Sequence, residues 1–547
     1  MFCFQCEQTS HGTGCTDLGV CGKDAPTAAL QDLLIHVCKG ISMYASRASK
    51  LGARNGDVDK FVVDGLFSTV TNVNFHQGRL QAMLTEAANV REQAKSLYLN
   101  ACSLHGVKPE ELSGPATWIA SENIDELILQ GYRVSINGRT ARLGADIAGL
   151  QELLTYGLKG AAAYYHHAIR LGIEDIGVYA GIHEGLSILT KEDATAQELL
   201  GASLKCGELN FKIMELLDTA NTSAYGHPVP TAVRVEPVAG KSILVSGHDL
   251  KDLEDVLKQT EGKGINVYTH GEMLPAHGYP GLKKYAHLVG NYGGAWQHQA
   301  EEFDKFPGAV LMTTNCIQKP RATYIERIFT SGLVAWPGVR HLGDGDYSAL
   351  IEAALEAPGF DVDAPEAYVT VGFGHNTVLG VADVVIDAVK SGAIRHFFLI
   401  GGCDGARPGR NYFQHMAESV PEDCVILTLG CGKYRFVKED FGTIGGLPRL
   451  LDIGQCNDSY SAVKIAVALA GAFGCGVNEL PLSLIISWYE QKAVAVLLTL
   501  LALGVKNIRL GPSLPAFVTP SVLAILSDTF NLMPTGTVEG DLQAILG

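Results

Sequence analysis

Four residues with metal-binding side chains each follow an apolar, β-rich segment in the last third of the chain. Cys403, Cys431 and Cys456 come after glycine-containing turns, and Glu490 follows the segment Leu484–Trp488. In an open parallel sheet, ligands bind just beyond the carboxyl ends of the strands. We therefore expect these soft thiolates and this hard carboxylate to form the wall of one metal pocket.

Three further candidate donors, His248, Glu272 and Cys316, follow predicted strands earlier in the chain. A single histidine or glutamate at a strand end is usually a solvated loop residue, so the argument rests on recurrence at equivalent positions. Together the two groups offer one imidazole, two carboxylates and four thiolates. This set is too large and too varied for tetrahedral zinc, and it favours a multinuclear iron centre with sulfide and oxygen bridges.

A second group of thiols lies at the N-terminus, where Cys3, Cys6, Cys15 and Cys21 follow the spacing C-x2-C-x8-C-x5-C. Four thiolates within so short a segment can close around one metal ion or one cluster. Structural zinc is the alternative on ligand type alone. We favour an iron–sulfur cluster, because a second metal site follows in the chain and needs a supply of electrons.

The composition narrows the class of protein. Hydrophobic residues make up 47% of the chain and charged residues 18%, with 62 glycines and a formal net charge of −16. These values indicate a globular protein and argue against binding to nucleic acid or to an anionic membrane surface. The N-terminal residues do not resemble a signal peptide, and the longest apolar run, 493–504, is too short to span a bilayer. Thirteen cysteines then indicate a reduced, cytoplasmic protein that binds metal.

An internal repeat predicts the fold of the first part. The sequence LQDLL at 30–34 recurs as LQELL at 150–154, and Lys39-Gly40 matches Lys159-Gly160 in the same register, 120 residues apart. The apolar residues follow helical spacing, so we expect two copies of a helical bundle. The histidines of this part are not expected to bind metal, and Cys38, Cys102 and Cys206 are expected to be packed thiols.

Strand–helix alternation replaces the helical pattern after a proline-rich segment, and it indicates mainly parallel sheets. We predict a helical domain over 1–220 and α/β domains over 221–357 and 358–547, the last two of Rossmann-like type. Gly372-Phe373-Gly374 follows a strand but lacks the third glycine of a dinucleotide-binding turn. No nicotinamide nucleotide is therefore expected to bind directly.

The chain resembles the family of hybrid cluster proteins, also called prismane proteins or hydroxylamine reductases. The motifs that carry this resemblance extend over essentially the whole chain: MFCFQCEQTSHGTGC, SGHDL, THGEMLP, TTNC, GGCDG, LGCGKYR, GQCNDSY and WYEQKAVAVL. The family fold is a helical domain followed by two Rossmann-like domains, and nickel carbon monoxide dehydrogenase shares it in outline. The active cluster of that dehydrogenase lacks the carboxylate pair, so the match favours the hybrid cluster family.

The resemblance implies two sets of ligands. The short N-terminal spacing is similar to that of the form found in strict anaerobes, which carries a cubane [4Fe-4S] cluster. Its ligands would be Cys3, Cys6, Cys15 and Cys21. A hybrid [4Fe-2O-2S] cluster would be held by His248, Glu272, Cys316, Cys403, Cys431, Cys456 and Glu490. The family carries a persulfide on the cysteine that corresponds to Cys403, and Glu272, Glu490 and Cys403 are the expected catalytic residues.

The implied reaction is the reduction of hydroxylamine to ammonia and water, with electrons from an external donor protein. Protons are expected to come through Glu272, His270, Lys492 or solvent. Two alternatives stay open. One is the reduction of nitric oxide to nitrous oxide, as protection against nitrosative stress. The other is a redox sensor that passes nitrosyl groups to other proteins, with the Cys403 persulfide as its reactive group.

Overall fold

The computed structural model describes residues 1–343 and 345–547, and its first part consists of two copies of one helical unit. The helices are α1 (Ala25–Lys50), α2 (Gly56–Ser68), α3 (Gln77–His105), α4 (Ile124–Arg133), α5 (Ile136–Leu143), α6 (Ala145–Arg170), α7 (Ile176–Ile188) and α8 (Ala196–Tyr225). Helices α1 and α6 each have 26 residues, and α2 and α7 each have 13. The predicted duplication is confirmed.

Capping residues at equivalent positions begin equivalent helices in the two copies. The side chain of Asn55 accepts hydrogen bonds from the first backbone N–H groups of α2, and Asp175 does the same for α7. Such caps satisfy donors that have no partner inside the helix, and each typically stabilises it by about 1 kcal/mol. Local sequence therefore fixes where both copies of this helix begin.

The second part is a six-stranded parallel sheet with helices around it. Its elements are β1 (Thr231–Arg234), β2 (Lys241–Ser246), α9 (Leu250–Thr260), β3 (Ile265–His270), α10 (Pro280–Lys283), β4 (Leu288–Asn291), α11 (Gln299–Lys305), β5 (Ala309–Met312), β6 (Ile328–Thr330), β7 (Arg340–His341) and α12 (Ser348–Glu356). The strand order is β4-β3-β2-β5-β6-β7. All five pairings in this sheet are parallel.

The third part contains a second six-stranded parallel sheet. Its elements are β8 (Tyr368–Val371), α13 (His375–Leu379), α14 (Ala382–Lys390), β9 (His396–Gly402), α15 (Asn411–Ser419), β10 (Cys424–Leu429), β11 (Thr443–Ile444), β12 (Leu447–Pro448), β13 (Leu450–Gly454), α16 (Ser459–Phe473), β14 (Leu482–Ser487), α17 (Gln491–Ala502), β15 (Ile508–Gly511), α18 (Pro520–Phe530), β16 (Met533–Pro534) and α19 (Val538–Leu546). The order is β13-β10-β9-β14-β15-β16. Helical repeats followed by two parallel sheets confirm the predicted fold class, whereas the domain limits at 220 and 357 stay predictions.

Helix α17 fixes the third part against the helical repeat. It belongs to the chain that follows β14, yet its apolar face lies in the same hydrophobic core as α6 and α8. Glycines permit this close approach, because a Cβ atom at Gly160 would lie 2.2 Å from the carbonyl oxygen of Gln491. The N-terminus of α17, which directly follows Glu490, is therefore held at a defined distance from α6.

None of the helices in the described part of the chain combines the length and the apolar character that a membrane-spanning helix needs.

We expect Gly160→Ala to lower the free energy of unfolding by roughly 1–3 kcal/mol, because the added methyl group meets backbone that cannot move freely. Gly201→Ala is the matched control, since it also lies in a long helix but nothing is within 4 Å of the new Cβ atom. Replacing that exposed glycine with alanine should stabilise by about 0.5–1 kcal/mol. Urea unfolding followed by circular dichroism measures both, and equal effects would contradict the role of Gly160.

Candidate metal centre

The predicted donors lie at the carboxyl ends of strands, on both sides of the point where each sheet reverses its strand order. In the first sheet β2 and β5 are neighbours at this point, and they lead to His248 and Cys316. In the second sheet β9 and β14 are neighbours, and they lead to Cys403 and Glu490. Such switch points open a crevice in which ligands bind.

Three donors from the two sheets lie next to one another. His248, Glu272 and Cys456 each place a ligand atom within 4.8 Å of the others, and all three residues are buried. His248 Nε2 is 3.7 Å from Glu272 Oε2. The backbone N–H of Cys456 donates to the same carboxylate oxygen at 2.9 Å. A single buried site therefore receives side chains from β2, β3 and β13.

Gln455 connects the loop that carries His248 to the loop that carries Glu272. Its side-chain amide donates to the carbonyl oxygens of His248, at 3.2 Å, and of Glu272, at 2.7 Å. Both acceptors lie about 200 residues earlier in the chain, so local sequence gives no sign of the contact. This glutamine holds the first sheet's ligand loops against the turn that carries Cys456.

Glu490 is linked to Cys316 through Asn315 and Lys492. Its carboxylate accepts from the backbone N–H of Lys492 at 2.8 Å and from the Asn315 side-chain amide at 3.4 Å. That amide also lies 3.5 Å from the Cys316 sulfur. The Lys492 ammonium donates to the side-chain oxygen of Asn315 at 2.9 Å, and it lies 3.7 Å from Glu490 Oε1.

The electrostatics of Lys492 place it among the predicted donors. Burial lowers its pKa, but the negative charges of nearby groups outweigh burial and raise the pKa above the ordinary value. Those groups are Cys456, Glu490, Cys316 and Glu272. The ammonium is therefore charged at neutral pH and offsets part of the negative charge that the donors bring to the site.

Cys316 has a backbone conformation that L-residues rarely adopt, with φ at 83°. Asn72 of the helical repeat holds it there. The carbonyl oxygen of Asn72 accepts from the N–H groups of Cys316 and Ile317 at 3.0 and 3.1 Å, and its side chain donates to Ile317 at 2.8 Å. Strained backbone of this kind persists where surrounding contacts impose it, and it occurs most often at functional sites.

The other two thiols complete the arrangement. Cys403 donates its backbone N–H to Ser487 at the end of β14, at 2.9 Å. Cys431 lies in a small cluster with Trp296 and Tyr489, against which Cys316 and Cys403 pack. Burial, followed by the charges of Glu490 and Glu272, raises the pKa of Cys403 to about 12. Burial likewise raises the thiol pKa of Cys431 well above its ordinary value.

The four N-terminal cysteines form a second group beside the first. Cys3 and Cys15 are paired by two backbone hydrogen bonds, at 3.0 and 2.8 Å. Burial raises the thiol pKa of Cys6 well above its ordinary value, and the charges of Cys21, Cys3 and Cys15 raise it further. Cys6 packs against Tyr489, in the same cluster as Cys431.

Comparison with known proteins identifies the family to which the chain belongs. The model of the "Prismane/CO dehydrogenase family" matches residues 1–543. The chain belongs to this family. Proteins named hydroxylamine reductase from Syntrophobacter fumaroxidans and Geobacter sulfurreducens are each 56% identical, over 547 and 550 residues, with 100% of both chains covered. The one from Rhodospirillum rubrum is 57% identical and is 99% covered, with all of this chain aligned.

Two solved structures share the fold. Carbon monoxide dehydrogenase from Thermococcus sp. AM4 superposes with a TM-score of 0.56 at 17% identity, over 99% of this chain and 90% of that one. Carbon monoxide dehydrogenase IV from Carboxydothermus hydrogenoformans gives 0.55 at 17%, over 97% and 89%. The family match and the full-length relatives confirm the resemblance drawn from the motifs, and with it the prediction of a hydroxylamine reductase family enzyme.

The donor set of this family member fits a buried multinuclear metal group. Five of the seven residues are less than 9% exposed, namely His248, Glu272, Cys431, Cys456 and Glu490. Ionised thiolates and carboxylates are costly to bury without compensating positive charge, and one lysine cannot compensate so many. Bound metal ions supply that charge and hold coordinating thiols in their deprotonated form. Both soft and hard donors are present, as an iron group with sulfide and oxygen ligands requires.

The proposed proton carriers differ in their surroundings. Both ring nitrogens of His270 have partners, since Nδ1 lies 2.8 Å from the Ser246 hydroxyl and Nε2 lies 2.9 Å from Glu302. His270 therefore acts to orient the strand end that precedes Glu272. The Lys492 ammonium lies 3.7 Å from the Glu490 carboxylate.

The remaining sequence predictions concern cysteines and histidines of the helical repeat, which lie outside the candidate site. Cys38, Cys102 and Cys206 are buried in the helical core. His183 is paired with Asp59 at 3.0 Å, and His166 is paired with Asp64 at 2.7 Å. Hydrogen bonds to carboxylates explain these buried or half-buried histidines without a metal.

Proposed function

We propose that this chain is an iron–sulfur oxidoreductase that reduces hydroxylamine to ammonia and water. The observation that carries the proposal is the meeting of His248, Glu272 and Cys456, which come from two sheets, in one buried site. Relatives that share more than half of its residues over the full length are named hydroxylamine reductase, which supports the same reaction.

Two metal groups would be held by the residues that the motifs identify. A [4Fe-4S] cluster would use Cys3, Cys6, Cys15 and Cys21. A hybrid [4Fe-2O-2S] cluster would use His248, Glu272, Cys316, Cys403 as a persulfide, Cys431, Cys456 and Glu490. When bound, these groups supply electrons and a Lewis-acidic iron at which an N–O bond can be reduced.

The protein side of the reaction is binding, charge balance and proton supply. Glu272 and Glu490 offer hard oxygen donors next to the soft thiolates. The Lys492 ammonium, 3.7 Å from Glu490, can give a proton toward the site and be reprotonated. Asn315 orients both Lys492 and Glu490 through its amide. The reduction consumes two electrons and two protons for each hydroxylamine.

Electrons would enter through the N-terminal cysteines from an external donor protein. The N-terminal loop docks on the end of β14, where the N–H of Glu7 donates to the carbonyl oxygen of Tyr489 at 2.9 Å. The Tyr489 ring stacks on Trp296 with ring centroids 4.4 Å apart, between Cys6 and Cys431. Within the described residues no two cysteines are joined by a disulfide bond, which suits the proposed reducing cytoplasm.

A second candidate, the reduction of nitric oxide to nitrous oxide, is favoured by a large apolar cavity. The cavity has a volume of about 440 Å³, lies beside β9 and α16, and has Cys403 and Cys456 in its lining. Aliphatic side chains form most of its wall, among them Ala466 and Ile486. Such a space suits a small neutral gas better than a polar amine.

The two reactions can be separated by assays on anaerobically purified protein. About eight irons per chain are expected if both clusters are present. Turnover with reduced viologen dye as electron donor should be measured with hydroxylamine and with nitric oxide. Failure to consume hydroxylamine would exclude the first proposal. Nitrosylation of partner thiols without consumption of either substrate would leave the sensor role.

We expect Ala466→Phe, which fills the apolar cavity, to raise the KM for nitric oxide roughly tenfold while that for hydroxylamine changes little. The reason is that a gas would reach the site through the cavity, whereas a polar substrate would not. Ala468→Phe is the matched control, because Ala468 also lies on α16 but is exposed and does not line the cavity. Equal effects of Ala466→Phe on both substrates would contradict a separate route for gas.

A further inference from the structure

The internal repeat brings two equivalent sets of charged residues together beside Cys3. Asp32 on α1 corresponds to Glu152 on α6, and Lys39 corresponds to Lys159, at the same spacing of 120 residues. The equivalent residues line or approach one small cavity, whose wall includes Cys3, Lys23, Asp32, Arg139, Glu152, Tyr156 and Lys159. Its volume is about 20 Å³, which is enough for one water molecule.

Most of these charged groups have fixed partners. Glu152 is paired with Arg139 of α5. Lys159 donates to the Gln5 side chain at 3.0 Å and to the carbonyl oxygen of Thr69 at 3.1 Å. Lys23 donates to Gln31 at 3.0 Å. Within the described residues, the Asp32 carboxylate is the one acid of the cavity that has no ion pair or side-chain hydrogen bond of its own.

The surroundings of Asp32 and Glu152 shift the pKa values of these two acids in opposite directions. Burial raises the pKa of Glu152, but Arg139 and Lys39 outweigh burial and hold it below the ordinary value, so Glu152 stays ionised. Burial raises the pKa of Asp32 to about 6, although Arg139 and Lys23 oppose the shift. Asp32 is therefore close to taking up a proton under ordinary conditions.

We propose that Asp32 is the proton acceptor that accompanies reduction of the N-terminal iron–sulfur site. When that site gains one electron from the external donor, the Asp32 carboxylate gains one proton from solvent and becomes a neutral acid. When the electron passes inward, the O–H bond breaks and the proton returns to solvent. The inference rests on the proposed N-terminal [4Fe-4S] cluster and deepens it.

Electrostatics gives the reason. An added electron raises the negative charge beside Cys3, and in a poorly solvated interior this change favours protonation of an acid that lines the same cavity and can accept a proton. The groups that face Asp32 are Lys23, Arg139, Glu152 and Lys159, with Lys39 and Tyr156 close by. Lys39 is the competing acceptor, because burial lowers its pKa to about 7.

The test is the reduction potential of the N-terminal cluster as a function of pH, measured by EPR-monitored titration of the holoenzyme. In the natural protein we expect the potential to fall above about pH 6, by up to about 59 mV for each tenfold drop in proton concentration. In Asp32→Asn the potential should be independent of pH over the same range and equal to the acid limit of the natural protein. A slope retained in Asp32→Asn, or lost instead in Lys39→Met, would overturn the proposal.

Two controls keep the test decisive. Glu152→Gln should raise the potential at every pH and keep the slope, and Asp59→Asn, a buried carboxylate paired with Arg54 and His183, should change neither. If Asp32→Asn does not fold, infrared difference spectra of the natural protein should show a carboxylic acid C=O band gained on reduction, and its absence refutes the idea. A natural protein without any N-terminal cluster signal would instead refute the proposed function.

Discussion

Replacing Glu272 with glutamine is expected to reduce the rate of hydroxylamine reduction by at least about a hundredfold, more than the tenfold to hundredfold typical of residues that only support a metal ligand. The Glu272 carboxylate lies 3.7 Å from His248 Nε2 and accepts the N–H of Cys456 at 2.9 Å. A glutamine keeps the size and one acceptor oxygen, but it removes the anionic oxygen that a hard iron prefers. The loss therefore isolates charge and coordination from packing.

The measurement combines steady-state turnover with iron analysis and EPR of both clusters. We expect the signal of the N-terminal cluster to remain while that of the second site changes or disappears. Glu301→Gln is the control, because Glu301 is an exposed glutamate in the same α/β unit, on α11. Activity within a factor of two of the natural enzyme in Glu272→Gln would show that this carboxylate is not a ligand.

Sequence predicted the strand-end donors because their signal is local. An apolar run that ends in glycine and a cysteine, such as the one before Cys431, indicates both the strand and the direction in which the next side chain lies. The repeat was equally accessible, since α1 and α6 have the same length and the same register. These features require only the periodicity of the chain.

The residues that hold the donors in place could not be predicted in the same way. The Asn72 side chain donates a hydrogen bond to Ile317, in the loop that carries Cys316, although Asn72 and Ile317 are 245 positions apart in the sequence. Gln491 accepts from the N–H of Thr71 at 2.8 Å and donates to the carbonyl oxygen of Gln5. Asparagine and glutamine are common in loops and at helix ends, so their types carry no sign of these partners.

Three consecutive residues show how one short segment joins the whole molecule. Glu490 caps α17 at the candidate metal centre, Gln491 contacts the N-terminal loop and the helical repeat, and Lys492 contacts Asn315, which follows β5 of the first sheet. Because these three lie at the first turn of α17, displacement of that helix would move all of them together. Close packing at Gly160 therefore acts on the site as well as on stability.

Arg410→Met is expected to lower the free energy of unfolding by about 3 kcal/mol, the lower end of the range typical of removing one partner of a buried ion pair, because Glu7 keeps its contact with Arg407. Arg410 is 1% exposed. Its guanidinium donates to Glu7 at 2.8 Å, to the Ser487 hydroxyl at 2.7 Å and to the carbonyl oxygen of Trp488 at 2.9 Å. Methionine keeps much of the volume, so the effect reports the lost charge and hydrogen bonds.

The same substitution should also loosen the connection between the two groups of thiols. Arg410 ties the N-terminal loop, through Glu7, to the strand that leads to Glu490, so we expect a fall in the iron content of both sites. Arg407→Met is the matched control, because Arg407 bonds the same Glu7 at 3.1 Å but its side chain is 35% exposed. Exposed pairs contribute about 0–1 kcal/mol. Urea unfolding of both variants under anaerobic conditions measures the difference, and equal midpoints would show that burial adds nothing to the Glu7–Arg410 pair.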